Sequence, residues 1–323
     1  MKRVAVLTSG CDAPGMNAAI RAVVRSGVLR SCEMFGVRNG YQGLIAGEFL
    51  PLGPRDVGGI IHQGGTMLGT SRCLEFETRE GQSAALEQLR RRDINALIVI
   101  GGNGSQTGAH ALAQRGMNVL GIASTIDNDL LGTDISIGST TALDTAMEAV
   151  DRLRVTAASH RRVFLVEVMG RHSGYLAAVV AIAGGAEAIV VPELETPPET
   201  IAQQLQASRQ RGKSHAIVVV AEGARYGVDA LSRYFQDHQQ QLGLDLRITR
   251  LGHVQRGGAP GVYDRMLATR LGAAAIDGLL ASQTGVLIGW RSGAIAMTPL
   301  GEVAARTAPL DLQLLHLAQE LAT

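Results

Sequence analysis

Cysteine is scarce in this chain: Cys11, Cys32 and Cys73 are the only three in 323 residues. Odd in number and without metal-like spacing, they argue against a disulfide framework or a cysteine zinc site, and for reduced, cytoplasmic surroundings. No apolar run reaches the length that crosses a bilayer, so no membrane partner is expected. The start, Met1-Lys2-Arg3-Val4-Ala5-Val6, enters an apolar run at once and lacks the features of a secretory signal. An excess of one charge is missing too, because 30 Lys and Arg face 29 Asp and Glu. With no basic run interleaved with aromatics, nucleic acid is not an expected partner. Prolines number nine against 40 glycines, a ratio that suits tight strand–loop–helix junctions rather than disorder.

What is present is apolar and periodic. Apolar residues make up 46% and the mean hydropathy is +0.13, enough for a large core. The length exceeds one ordinary core and fits two lobes. Runs at 4–8, 96–100, 119–122, 163–168, 189–193 and 216–221 read as buried parallel strands. Helical patterns come between them. One carries Asn17, Ile20, Val23, Val24 and Val28, one covers about 106–115 with Ser105 as N-cap, and one is started by Pro197-Pro198. A long helix opens at Ser139 with a stripe of Leu143, Ala146, Met147, Val150 and Leu153, and another runs from about Arg265 to Leu280. The alternation predicts an α/β fold of two lobes, each a mostly parallel sheet flanked by helices.

Such sheets bind ligands outside the carboxyl ends of their strands. Ala123-Ser124-Thr125-Ile126-Asp127-Asn128-Asp129 is placed there, with two carboxylates that can divide labour between a substrate hydroxyl and a cation. An Asx-rich turn capping the next helix is the plainer reading of those residues alone. Ser9-Gly10-Cys11-Asp12-Ala13-Pro14-Gly15 and Gly101-Gly102-Asn103-Gly104-Ser105 are glycine-containing strand-to-helix turns suited to phosphate. Neither is a dinucleotide fingerprint or a Walker loop. Gly64-Gly65-Thr66-Met67-Leu68-Gly69-Thr70-Ser71-Arg72 is a flexible loop ending in a cation. Arg161, Arg162 and Arg171 flank the 163–168 strand, and Arg21 and Arg25 share one helix face. A final polar loop covers 249–258.

Taken in order, Thr8 to Ala18, Gly101 to Ser105, Thr125-Ile126-Asp127-Asn128-Asp129, Met169-Gly170-Arg171 and Gly252-His253-Val254-Gln255-Arg256-Gly257-Gly258 resemble the bacterial ATP-dependent 6-phosphofructokinases over essentially the whole chain. The resemblance implies a homotetramer that transfers the γ-phosphoryl of ATP, with Mg²⁺, to the 1-hydroxyl of fructose 6-phosphate. It implies a larger nucleotide-binding lobe of 1–138 plus 251–301 and a smaller sugar-phosphate lobe of 139–250 plus 302–323. By the same resemblance Asp127 is the base, Thr125 holds the transferring phosphoryl, and Asp129 supports the base and the metal region. Arg72 and Arg171 neutralise charge on the phosphoryl oxygens. ATP would meet Cys11, Arg72, Cys73, Gly102, Asn103, Gly104 and Ser105. The sugar phosphate would meet Thr125, Ile126, Asp127, Met169, Gly170, Arg171, Glu222, His253, Val254, Gln255 and Arg256, with Arg162 and Arg247 supplied by a neighbouring subunit. Arg21, Arg25, Arg154, Gly185, Glu187, Arg211 and Lys213 match an effector site for ADP or phosphoenolpyruvate, where Pro54 replaces an arginine.

Three positions near the nucleotide depart from the family pattern. Asn103 stands where relatives carry an aspartate near Mg²⁺, so weaker metal binding is expected. Cys11 replaces a glycine, which would crowd the phosphates or meet a penalty at a positive φ angle. Ser124 replaces another glycine. Pyrophosphate-dependent relatives typically carry aspartate at the position of Gly104 and lysine at that of Ser124, and their absence here favours ATP. The alternatives are a catalytically weak regulatory paralogue and a kinase with another donor.

Overall fold

A computed structural model describes residues 2–322. The chain divides into two compact units, residues 1–141 with 256–308 and residues 142–255 with 309–323.

The first unit is built on an eight-stranded sheet. Its strands are β1 (Arg3–Thr8), β2 (Glu33–Val37), β3 (Phe49–Leu52), β4 (Ala96–Gly101), β5 (Val119–Thr125) and β6 (Ile137–Gly138). After the second unit's β7 (Val163–Val168), β8 (Ala188–Val190), β9 (Ala216–Ala221) and β10 (Leu246–Arg250), the sheet is completed by β11 (Val286–Arg291) and β12 (Ala294–Pro299). The order is β12-β11-β5-β4-β1-β2-β3, with β6 paired to β5. Pairing is parallel except at the two edges, where β3 and β12 run antiparallel. Every residue of β4 and β5 is buried, with helices covering both faces, which is why 96–100 and 119–122 read as unbroken apolar runs.

From β1 the chain passes outward to β2 and β3, then returns to build β4 and β5 on the other side. The carboxyl ends of β1 and β4 therefore form a topological switch point, where such sheets open a crevice for ligand. Helix Met16–Leu29 buries Ile20, Val23 and Val24 and packs on helix Val262–Leu280.

The second unit carries a four-stranded, wholly parallel sheet in the order β10-β7-β9-β8. Leu165, Val218, Val220, Ile201 and Leu231 are fully buried in its core.

Several boundaries differ from expectation. Helix Asn103–Gln114 begins three residues before Gln106, and its N-cap is Gly102, not Ser105. A glycine cap presents no side-chain signal to read. Helix Val262–Leu280 likewise starts ahead of Arg265. β5 runs through Thr125, so Ser124 and Thr125 are strand residues, fixed by pairing with the two-residue β6. β8 ends at Val190, ahead of a turn closed by a Val191–Leu194 bridge. Thr249 and Arg250 belong to β10, and Gly252–Gln255 is a 3₁₀ turn.

Candidate functional site

In the first unit, three loops leave the carboxyl ends of neighbouring strands. Thr8 of β1 pairs with Ile100 of β4, and Gly101 of β4 with Ala123 of β5. The turns Ser9–Gly15, Gly101–Ser105 and Thr125–Asp129 therefore emerge side by side. The first is stitched to its surroundings: Thr70 donates to the Gly10 carbonyl at 2.7 Å, and Thr8 donates to the Gly69 carbonyl at 2.9 Å. Asn17, buried in the first helical turn, donates to the Gln63 and Gly64 carbonyls and accepts from Met67 N at 2.7 Å. The Gly64–Arg72 loop thus lies against the first turn, with Arg72 at its exposed end. The positive φ angles of the turn fall on Gly10, at +80°, and Gly15, at +107°, and not on Cys11. The expected backbone penalty at Cys11 is therefore absent; its side chain is exposed, and that of Cys73 is half-buried.

The Thr125–Asp129 turn is braced from within. Asp127 N donates to Thr125 Oγ1 at 3.2 Å, and Asn128 adopts a left-handed φ of +49°. Asn128 Oδ1 accepts from Ser136 N at 2.8 Å, and Ser136 Oγ donates to the Thr125 carbonyl at 2.6 Å. Thr125 and Asp127 are both buried, each 9% exposed. Asn103 Nδ2 lies 3.5 Å from the Asp129 carbonyl, which leaves Asn103 Oδ1 buried with no hydrogen-bond partner. Ser105 Oγ is also buried without a partner, and the Ser105 carbonyl accepts from the Tyr41 hydroxyl at 2.6 Å. Arg256 belongs to this unit, where it is 6% exposed and donates to the Asp12 carbonyl at 3.3 Å. Ile126 is fully buried in the turn, and Gly102 and Gly104 flank Asn103.

In the second unit, Met169, Gly170 and Arg171 follow β7, and Glu222 follows the adjacent β9. Arg171 N donates to Glu222 Oε1 at 3.0 Å, and Met169 N to Oε1 of the fully buried Gln255 at 2.8 Å. Arg171 holds a left-handed φ of +50°, an uncommon backbone state for a residue with a long side chain. His253 and Val254 are exposed on the 3₁₀ turn that carries Gln255. These residues gather at the carboxyl end of the sheet. Behind them, burial pushes the Glu167 carboxyl above its ordinary range; Arg250 opposes this, while Asp229 and Glu222 push it further up.

Arg162 and Arg247 do not join that group within one chain. Both pair with Asp245, Arg162 at 2.8 Å, at the amino ends of β7 and β10. The length of a six-residue strand, about 20 Å, separates them from Met169 and Arg171.

Four of the expected effector residues come together. Glu187, 4% exposed, accepts from Ile217 N at 2.7 Å and faces Lys213 at 3.4 Å and Arg154 at 4.0 Å. Arg154 also donates to the Gly185 carbonyl at 2.8 Å. Arg211 donates to Ser208 at 3.3 Å nearby in sequence, whereas Arg21 and Arg25 belong to the other unit, where Arg25 reaches the Pro54 carbonyl.

Sequence reasoning passed over Ser136 and gave Asn128 no task, yet both shape the Thr125–Asp129 turn. The Asx-type spacing of Asn128 was the available signal; Ser136 offered none.

The family model described as phosphofructokinase matches residues 3–279. The chain is 52% identical over 324 residues to the ATP-dependent 6-phosphofructokinase 1 of Thermus thermophilus, with full coverage of both. It is 47% identical over 321 residues to the ATP-dependent 6-phosphofructokinase of Shouchella clausii, covering 99% of each. Among solved structures, Pichia pastoris phosphofructokinase in the T-state matches with a TM-score of 0.88 at 40% identity over 94% of this chain, which spans 35% of that longer chain. A pyrophosphate-dependent phosphofructokinase from Marinobacter aquaeolei, 23% identical with a TM-score of 0.86 over 97% of this chain and 86% of its own, shares the fold. This chain belongs to the phosphofructokinase family.

Proposed function

We infer that the chain is an ATP-dependent 6-phosphofructokinase, transferring the γ-phosphoryl of ATP to the 1-hydroxyl of fructose 6-phosphate to give fructose 1,6-bisphosphate. The observation that carries the reading is the convergence of three polar turns at one switch point of the first unit, two of them glycine-containing and one bearing Asp127. Full-length identity to relatives named as ATP-dependent kinases does not favour a regulatory paralogue or a pyrophosphate donor.

Phosphoryl transfer demands positioning and charge stabilisation more than covalent chemistry. In this reading Asp127 takes the proton of the sugar hydroxyl as it attacks. Thr125 Oγ1 already accepts the Asp127 N–H, so its own hydrogen remains available to a phosphoryl oxygen. Arg72 and Arg171 offset charge on the transferring group, and Arg171's left-handed backbone supports such a specialised task. The first unit serves as the nucleotide-binding lobe, where Cys11, Cys73, Gly102, Gly104 and Ser105 meet ATP. Met169, Glu222, His253 and Arg256 grip the sugar phosphate.

The residues present fit Mg²⁺. The buried Asn103 Oδ1 is an oxygen donor without a protein partner, and it lies beside the Asp129 turn. Mg²⁺ characteristically takes one or two protein oxygens and completes its shell with phosphates and water. Asp129 and Asn103 would hold it, and when bound it neutralises phosphate charge. Arg162 and Arg247 act from a neighbouring chain of a homotetramer. Lys213, Arg154 and Arg211, with Arg21 and Arg25, bind an anionic effector such as ADP or phosphoenolpyruvate. The enzyme works in the cytoplasm.

The test is product formation from fructose 6-phosphate and Mg²⁺ with ATP and pyrophosphate as parallel donors. Turnover with ATP supports the reading. Turnover with pyrophosphate alone, or with neither, overturns it.

A further inference from the structure

One carboxylate of the first unit has no part in the chemistry above, yet it is buried and fully engaged close to the site's turns. Asp264, in the first turn of helix Val262–Leu280, is fully buried. Its Oδ1 accepts from Gly138 N at 2.8 Å. Its Oδ2 accepts from Thr140 Oγ1 at 2.6 Å, Thr141 N at 2.8 Å and Thr141 Oγ1 at 2.6 Å. These donors open helix Ser139–His160, whose positive end suits a carboxylate. The Thr141 hydroxyl in turn accepts from Gly261 N at 3.0 Å, tying the starts of the two helices together.

Gly138 links this anchor to the candidate site. It pairs directly with Thr125 across β5 and β6. On its other side it lies against the Ser9–Gly15 turn so closely that a Cβ would sit 2.6 Å from that of Ala13. Ile137 and Asp264 likewise line the space beside Gly15. The turn bearing Thr125 and Asp127 and the glycine-containing turn after β1 therefore rest on one short strand, and Asp264 holds that strand's register.

We propose that Asp264 is a positioning residue for phosphoryl transfer: through Gly138 and β6 it sets Thr125 and the base Asp127 against the Ser9–Gly15 turn. The proposal rests on the reading of Thr125 and Asp127 as reacting-site residues. Asp264→Asn keeps the shape but places an NH₂ group at one of the two oxygens. If it faces Thr141, three donors meet it; if it faces Gly138, that N–H meets it. Either way a backbone N–H loses its acceptor, and β6 shifts to relieve the conflict.

The experiment measures kcat and KM for both substrates in Asp264→Asn, Thr140→Val and Asp127→Asn, with thermal melts and amide exchange of segment 123–141. A sub-ångström to ångström displacement of reacting groups predicts a fall in kcat of about 10- to 100-fold in Asp264→Asn with KM within about threefold. Faster amide exchange at 137–141 accompanies it. If Asp264→Asn melts lower but keeps kcat within about twofold of the parent at a temperature where it is folded, the residue is only structural and the proposal is overturned. If Asp264→Asn does not fold, Thr140→Val decides. A loss of about threefold or more in kcat at unchanged KM supports the proposal, and parental kcat overturns it. Full activity in Asp127→Asn is a different failure, since it removes the reading of the reacting site and not Asp264's link to it.

Discussion

Asp127 and Asn103 carry opposite kinds of expectation. Asp127 sits in a turn whose N–H, hydroxyl and carbonyl groups are already committed to Thr125, Asn128 and Ser136, so its backbone is held, as the proposed role of its carboxylate requires. Asp127→Asn keeps the volume and removes the proposed base. Turnover with ATP should fall by about 10²- to 10⁴-fold, the range general-base catalysis supplies, with KM for fructose 6-phosphate little changed. Steady-state kinetics of the purified variant check this, and a loss under tenfold would remove Asp127 from the role. Asn103 presents a neutral oxygen where a charged one would bind a divalent cation more strongly. Asn103→Asp should therefore lower the Mg²⁺ concentration for half-maximal activity several-fold, read from Mg²⁺ titrations at saturating ATP. An unchanged midpoint would mean that the nucleotide's phosphates and Asp129 already satisfy the metal.

At the scale of elements, the parallel strands were the most legible part of the sequence. β7 and β9 match the runs 163–168 and 216–221 residue for residue, because a strand covered on both faces is apolar almost throughout, Glu167 being the one polar residue of β7. The edges were not legible. β12 is mostly exposed and mixed in character, and β6 is two residues long, defined only by its pairing with β5. The candidate site divides the same way. Glycine turns and the Asp127 stretch showed in local pattern, whereas Asp264 is 126 residues from Gly138 and no local signal joins them. The Glu167 cluster is also an assembly of elements, drawing on β7, β10, the helix Val228–Asp237 and the residue that follows β9. Glu167's pKa is raised in the folded state, so it favours folding below the unfolded carboxylate pKa, and that contribution is lost as pH rises through the folded value. Glu167→Gln removes the loss. Thermal melts should show the variant gaining on the parent between acid pH and neutrality. A difference in Tm that is flat across that range, or that shrinks, would contradict the cause assigned here.

At the scale of the whole molecule, the position of Arg162 and Arg247 makes a single chain incomplete for the proposed reaction. Both bond Asp245 at the end of the second unit's sheet opposite Met169 and Glu222. Exposed apolar side chains on the first turns of helix Val262–Leu280, among them Val262, Tyr263 and Met266, offer surface for association. If each site takes its arginines from a neighbour, a protomer with defective arginines but intact Asp127 can be rescued by a neighbour with the reverse defects. Asp127→Asn and the double variant Arg162→Ala with Arg247→Ala should each be nearly inactive alone. Dissociated, mixed in equal amounts and reassembled, they should recover about a quarter of parental activity. Half the sites then carry an intact Asp127, and half of those face a neighbour with intact arginines. Recovery near that level requires a site shared between chains. Mixtures no more active than their parts, with assembly verified by light scattering, would place the sugar-phosphate arginines elsewhere.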